Sequence, residues 1–360
     1  MKRLQRSDLD RLLSGLAADY RLLTPQRLAD GTRLLRPAQE GEPDLSGEPV
    51  QRKPTEFFLP QLDPLLNIGP AGAVQSLAVP GKPYCLFGLN RADLQCLAFV
   101  DRFCSAAPRD DAYFRYRHDA LLIGLTGYCG PDRQLLPLAG DLCDLELVTT
   151  ENGWLARAFS ERGARLLAPF AAAAPQALKS IEKLSAETIA EQWQLLNRAA
   201  RIVQRELIPD AFWREIGDRC ILCSGCNLVC PTCTCFCVQD RSGAGGTLRS
   251  RVWDSCQFDG FMREASGHNP LGSEALRTRR RIHHKLAADP RRWGEISCFL
   301  CGRCDRSCPT GIGIQAVAAE IVQRFGGTGG PAPIPKFFLR PGEQKQKPAG
   351  ERTTELDRNT

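Results

Sequence analysis

The sequence predicts an α/β or α+β domain over residues 1–170, a helical connector over 171–210, a mainly α-helical and cysteine-rich domain over 211–326, and a disordered tail over 327–360. Three observations carry that division. Strand and helix patterns alternate through the first part, as layered mixed folds require. Twelve of the 17 cysteines fall between Cys220 and Cys308, in a stretch whose remaining patterns are helical. From Gly326 onward the chain is Gly/Pro-rich and then polar, a composition that buries too little apolar surface to order itself.

Ser7 followed by Asp8, Leu9, Leu12, Leu13 and Leu16 reads as an N-cap and an amphipathic helix over about residues 8–18. PAQEGEPDLSGEP is a loop by its turn residues. PYCLFGL predicts a buried strand near Tyr84–Phe87 that turns at Gly88 into the helix RADLQCLAFVDRF. ALLIGL and LELVTT are strands, and WLARAF returns after the turn Glu151-Asn152-Gly153. AAAAPQA marks a joint near residue 173; beyond it Ser185 caps a helix that is acidic first and basic last and that stops before Pro209. FDGFMREASG, SEALRTRRRIHHKLAAD and IQAVAAEIVQRF are expected helices of the cysteine-rich domain.

With 43% hydrophobic and 24% charged residues, the 360-residue chain has the composition of a globular protein. MKRLQRSDLDRLLSGLAADY lacks the apolar core of a secretory signal, and no apolar run is long enough to span a bilayer, so the expected location is the cytoplasm. An odd number of cysteines in a large chain argues for reduced or metal-bound thiols over a disulfide framework. A net charge of +6 is too mild to imply nucleic acid.

Cys220, Cys223, Cys226 and Cys230 with Pro231 make C-x2-C-x2-C-x3-C-P, and Cys298, Cys301, Cys304 and Cys308 with Pro309 repeat it. Three thiolates at that spacing wrap three iron corners of a cubane, and in two-cluster ferredoxins the fourth cysteine ligates the other cluster. That rule assigns Cys220, Cys223, Cys226 and Cys308 to one [4Fe-4S] cluster and Cys298, Cys301, Cys304 and Cys230 to a second. Zinc is the competing reading, but zinc ribbons show two separated pairs, not a triplet followed by Cys-Pro. The 67 residues between the motifs suit a helical two-cluster ferredoxin domain better than a short ferredoxin.

CNLVCPTCTCF, RSRVWDSCQFDGF, GHNP, RTRRRIHHK and CGRCDRSCP, in that order, resemble the 4Fe-4S dicluster electron-transfer subunit shared by anaerobic sulfite reductases and cytosolic NiFe sulfhydrogenases, in the latter the beta subunit. The resemblance implies an electron-transfer subunit relaying single electrons through two [4Fe-4S] clusters, with no catalytic residue of its own. Its partners would be a NiFe hydrogenase or sirohaem sulfite reductase subunit together with a FAD/NAD(P)-binding reductase subunit, with no nucleic acid and no membrane span. The first part of the chain departs from the family, which has a cysteine where this chain has Ala92 and a C-F-C element where it has only Cys129, so that part is expected to be a docking scaffold.

Cys233, Cys235 and Cys256 are surplus to the two clusters and are candidates for a further metal or for redox thiols; Cys237 is a weak fourth ligand. They also keep open a sulfur- or thiol-reducing enzyme, and a structural metal-bound interaction protein. The run Arg277–Arg292 holds seven Lys or Arg against one Asp and lacks interleaved aromatics, so partner docking or cluster tuning is favoured over nucleic acid. His283 and His284 are read as surface or capping residues, His268 as a turn residue, GAGGT (Gly243–Thr247) as a flexible loop, and Trp253, Phe258 and Phe261 as packing around the cluster domain and limiting water there.

Overall fold

The computed structural model describes residues 1–77 and 81–327, so the tail expectation lies outside the described residues from 328 on. Its strands are β1 (Lys2–Leu4), β2 (Arg21–Arg27), β3 (Arg33–Pro37), β4 (Leu62–Ile68), β5 (Val74–Ser76), β6 (Tyr84–Leu89), β7 (Leu121–Gly127), β8 (Leu145–Thr150), β9 (Gly153–Ala158), β10 (Phe236–Gly243) and β11 (Gly246–Trp253). A seven-stranded sheet has the order β1-β9-β8-β7-β6-β2-β3. Its β2, β6, β7 and β8 run parallel, and β9, β1 and β3 pair antiparallel at the two sides.

Every residue of β7 is buried, which explains its unbroken apolar run. Leu121, Ile123 and Leu125 share a core with Leu9, Leu12 and Leu16 of the helix Arg6–Asp19, while Leu122 shares one with Leu94 and Leu97 of the helix Arg91–Ser105. Alternate side chains therefore serve the two faces, giving the mixed α/β N-terminal region that strand–helix alternation predicts. The first helix begins earlier than Ser7 suggests. Gln5 is its N-cap, and the Asp8 carboxylate accepts the Gln5 N–H at 3.0 Å, a backward bond that makes the earlier start favourable.

Three local expectations fail for tertiary reasons. Ser185 does not cap a helix: it lies inside the helix Lys179–Gln204, buried, and its Oγ accepts the Leu138 N–H at 2.9 Å. FDGFMREASG forms only a short 3-10 turn, Asp259–Met262, because Asn269 and Arg277 bond Asp259 and hold the segment as a loop. GAGGT is not a flexible loop but the tight end of the β10–β11 hairpin, where Gly243 pairs with Gly246. Gly246 has φ +117°, and a Cβ there would stand 2.3 Å from the Ile68 carbonyl oxygen.

That hairpin belongs to a second sheet, β10-β11-β4-β5, in which Thr247–Val252 pair with Leu62–Ile68. Residues that the sequence reading puts in separate domains thus share one sheet, and the cysteine-rich part is less purely helical than expected. Its helices Lys179–Gln204, Asp210–Asp218, Glu274–His283 and Ile314–Phe325 enclose one apolar core, against whose edge Cys220, Cys226, Cys298 and Cys308 lie.

Buried ion pairs fasten the two parts. Arg303 grips Asp93 at 2.5 and 3.0 Å and donates to the Val50 carbonyl at 2.9 Å. Arg251 bonds Asp63 at 2.8 Å and Asp110 at 2.5 Å, and Arg115 also bonds Asp63. Bidentate guanidinium geometry is what makes such desolvated charges tolerable. No described helix is long and apolar enough to cross a membrane.

Candidate metal centres

The two cysteine motifs adopt the same backbone. Leu222 and Leu300, each just before the middle cysteine, have φ +55° and +59°; Ser224 and Gly302, each just after it, have +60° and +70°. Left-handed residues alternating with right-handed ones turn successive N–H groups toward one concavity, an anion-binding arrangement, at a conformational cost that non-glycine residues bear only where the surroundings hold them. The third cysteine of each triplet then enters a short helix, Gly225–Leu228 or Arg303–Ser307.

Each triplet opens on a cavity that the other motif completes. Cys220, Cys223, Cys226 and Cys308 line the first cavity, together with Gln257, Thr278 and Arg281. Cys230, Cys298, Cys301 and Cys304 line the second, with Cys96, Arg281 and Lys285. All eight cysteines named from spacing are thus brought together as two sets of four. The crossing of Cys230 is held by Thr232, whose hydroxyl donates to the Ser297 carbonyl at 2.7 Å and accepts from Lys285 Nζ at 2.6 Å. Cys308 Sγ accepts the Ile312 N–H at 3.4 Å, and Asp305 caps the helix that follows by accepting from Gln315 and Ala316.

The electrostatics suit an anionic occupant. Arg281 is buried between the cavities and lines both, and its Nε and Nη2 have no hydrogen-bond partner. Orphaned guanidinium N–H groups in a buried site require acceptors to be stable. A [4Fe-4S] cluster on four thiolates carries net negative charge and presents sulfur acceptors, so these donors and thiols fit it. Against its burial, the nearby Cys226, Cys304 and Cys230 thiols raise the pKa of Arg281, and Cys230, Cys298 and Cys233 do the same for Lys285. Burial pushes Cys226 and Cys304 up to about 11, which a bound metal cation would reverse.

Arg277, Arg281 and Lys285 are the buried members of the basic run, four residues apart on one face. That spacing was readable in the sequence; the run is in part lining, not surface. Cys96 carried no such signal. It lies in the helix Arg91–Ser105, fully buried, and donates a hydrogen bond to Cys301, which with Arg303 outweighs burial and holds Cys301 down to about 6.

His283 and His284 line neither cavity; His284 pairs with Asp289 at 3.2 Å. The His268 carbonyl accepts from Glu264 N–H in a turn. Trp253, Phe258 and Phe261 line neither cavity: Trp253 donates to the Leu59 carbonyl at 2.7 Å, and Phe258 is 42% exposed because its helix does not form.

Comparison with known proteins decides the class of the cysteine-rich part, since residues 219–312 match the family model described as a 4Fe-4S dicluster domain. The chain carries a 4Fe-4S dicluster domain. Over 280 residues the chain is 28% identical to "Sulfhydrogenase 2 subunit beta" of Pyrococcus furiosus, covering 74% of this chain and 82% of that protein. The 280 matched residues outnumber those of the dicluster domain, so the likeness extends beyond residues 219–312. The relative's name agrees with the resemblance read from GHNP, RTRRRIHHK and the paired motifs. Cys233, Cys235 and Cys256 lie near one another but line neither cavity, and Cys237 faces Val252 on the hairpin.

Proposed function

We propose that the protein is the electron-transfer component of an oxidoreductase complex, relaying single electrons between a NiFe hydrogenase or a sulfite- or sulfur-reducing partner on one side and a flavin/NAD(P)-binding subunit on the other. Cys220, Cys223, Cys226 and Cys308 would hold one [4Fe-4S] cluster, and Cys298, Cys301, Cys304 and Cys230 the other. The clusters, when bound, supply reversible one-electron chemistry. The single observation that carries the reading is the crossed pair of four-cysteine cavities with Arg281 between them. A relay needs two centres held at short, fixed separation, and one buried guanidinium serving both cavities provides that proximity.

The chain's own residues would do three things. Arg281 and Lys285 offset the negative charge that each added electron brings. The twin left-handed loops aim N–H groups at the sulfurs. Cys96, Asp93 and Val50 close the second centre against water, which is the role we assign to the N-terminal region. The first centre has the exposed Cys223 at its edge and is the side from which a partner would exchange electrons. Iron and acid-labile sulfide on the anaerobically purified chain, with a redox titration followed by EPR, test the reading. Two reversible S = 1/2 signals are expected; zinc without sulfide, or redox silence, would overturn it.

A further inference from the structure

The two cysteine loops share a backbone but differ at the place after the middle cysteine, which is Ser224 in the first and Gly302 in the second. Both residues are left-handed, with φ +60° and +70°. Glycine adopts that conformation freely, whereas a side chain there carries a cost that something must offset. Helix capping does not offset it. Ser224 stands before the short helix Gly225–Leu228, where a serine hydroxyl ordinarily accepts a backbone N–H, yet its side chain makes no such bond. Its carbonyl alone serves that helix, accepting from Asn227 N–H at 2.9 Å and from Leu228 N–H at 3.1 Å.

The hydroxyl is left over. Ser224 is 2% exposed, and its Oγ has no hydrogen-bond partner among the described residues. It lines the first cavity together with Cys220, Cys223, Cys226 and Cys308. The Arg281 Nε and Nη2 donors are unpartnered too, but Arg281 lines both cavities, and Ser224 lines the first alone. On the second side the Thr232 hydroxyl is already engaged, donating to the Ser297 carbonyl at 2.7 Å and accepting from Lys285 Nζ at 2.6 Å. A buried hydroxyl without a partner forfeits its hydration for nothing, so the first site is complete only when an acceptor fills the cavity.

We propose that Ser224 donates its O–H to a sulfur of the [4Fe-4S] cluster held by Cys220, Cys223, Cys226 and Cys308, and thereby raises the potential of that centre and not of the other. The inference rests on the function proposed above. Sulfide and thiolate sulfurs accept hydrogen bonds and cannot donate them, so the hydroxyl, which can do either, must be the donor. An added electron increases the negative charge on the sulfurs and strengthens the bond, so the donor favours the reduced state. Ser224 thus biases the centre beside the exposed Cys223 toward holding an electron, a device that Gly302 cannot supply in the second loop.

The test is an EPR-monitored redox titration of the holo chain and of its Ser224→Ala and Ser224→Gly variants, with iron and sulfide measured on the same samples. Ser224→Ala keeps the Cβ and removes only the hydroxyl. Ser224→Gly matches Gly302, relieves the left-handed strain, and decides the matter where the alanine variant loses iron. About eight irons per chain should remain. At the midpoint of the unsubstituted first centre, the reduced-to-oxidised ratio should fall about fivefold in the variants, the factor that one hydrogen bond carries, while the second centre does not move. The signal that moves should be the one that Cys308→Ser loses. About eight irons with both midpoints unchanged, or with both shifted together, would overturn the donor and leave the relay standing. Loss of iron from Ser224→Gly would make the hydroxyl a requirement of assembly and also overturn the tuning role. Zinc without sulfide, or redox silence in the unsubstituted chain, would overturn the proposed function and this inference with it.

Discussion

The two cysteine loops share spacing and backbone, yet corresponding residues meet opposite surroundings. Ile221, after the first cysteine of the first loop, is 61% exposed; Phe299, at the same place in the second, is 6% exposed against Phe99 and Trp193. Gly225 in the first loop corresponds to Arg303 in the second, whose guanidinium is locked to Asp93. Cys223 faces solvent, whereas its counterpart Cys301 receives a hydrogen bond from Cys96. The difference teaches that the motif sets which ligands surround a cluster, while long-range packing sets the water, charge and hydrogen bonds around it. Those are the quantities that tune a cluster's potential.

The crossing of the fourth cysteines is the largest effect to test. Cys230→Ser should remove the centre at Cys298, Cys301 and Cys304, and Cys308→Ser the centre at Cys220, Cys223 and Cys226, each lowering iron from about eight to about four per chain. EPR on the two variants should lose different signals. If each variant instead lost the centre of its own motif, the crossing would be wrong.

Next comes the clamp on the sealed loop alone. Asp93→Ala leaves Arg303 charged and unpaired in the interior, an expected cost of about 3–5 kcal/mol of unfolding free energy. Denaturant titration of the holo chain measures it. A loss under about 1 kcal/mol would mean that water reaches the pair.

Arg281 should act on both loops together. Arg281→Met removes a charge worth on the order of 2 kcal/mol to an added electron at an effective dielectric near 20, so both potentials should fall by on the order of 100 mV. A shift in only one signal would show that the guanidinium does not serve both centres. Smallest is the effect that distinguishes the loops. Cys96→Ala removes a hydrogen bond worth about 1 kcal/mol to a cluster sulfur, so one potential should fall by some tens of millivolts while the other stays, and Cys96→Ser should restore much of it.

Much of this molecule was legible locally. The apolar run of β7, the turn at Gly88 into the helix Arg91–Ser105 and the return after Asn152-Gly153 are short-range patterns, and they form as expected. Ser185 misled because a helix-capping residue type was claimed by a distant backbone N–H. Asp259 misled because partners on other segments held its chain as a loop. GAGGT misled because strand pairing with Leu62–Ile68, far away in sequence, gave order to a glycine-rich turn.

By itself, the sequence singled out eight cysteines in a repeated motif and pointed to the class of cofactor that such spacing suits, because thiolate spacing is a local property of the backbone. Tertiary structure alone decided that Cys96, Asp93 and Lys53 of the N-terminal region reach the dicluster domain, that one loop is sealed and the other open, and that Cys233, Cys235 and Cys256 meet. Those contacts join segments far apart along the chain, and their energies come from burial and charge pairing that exist only once the two sheets and the helices have closed around them.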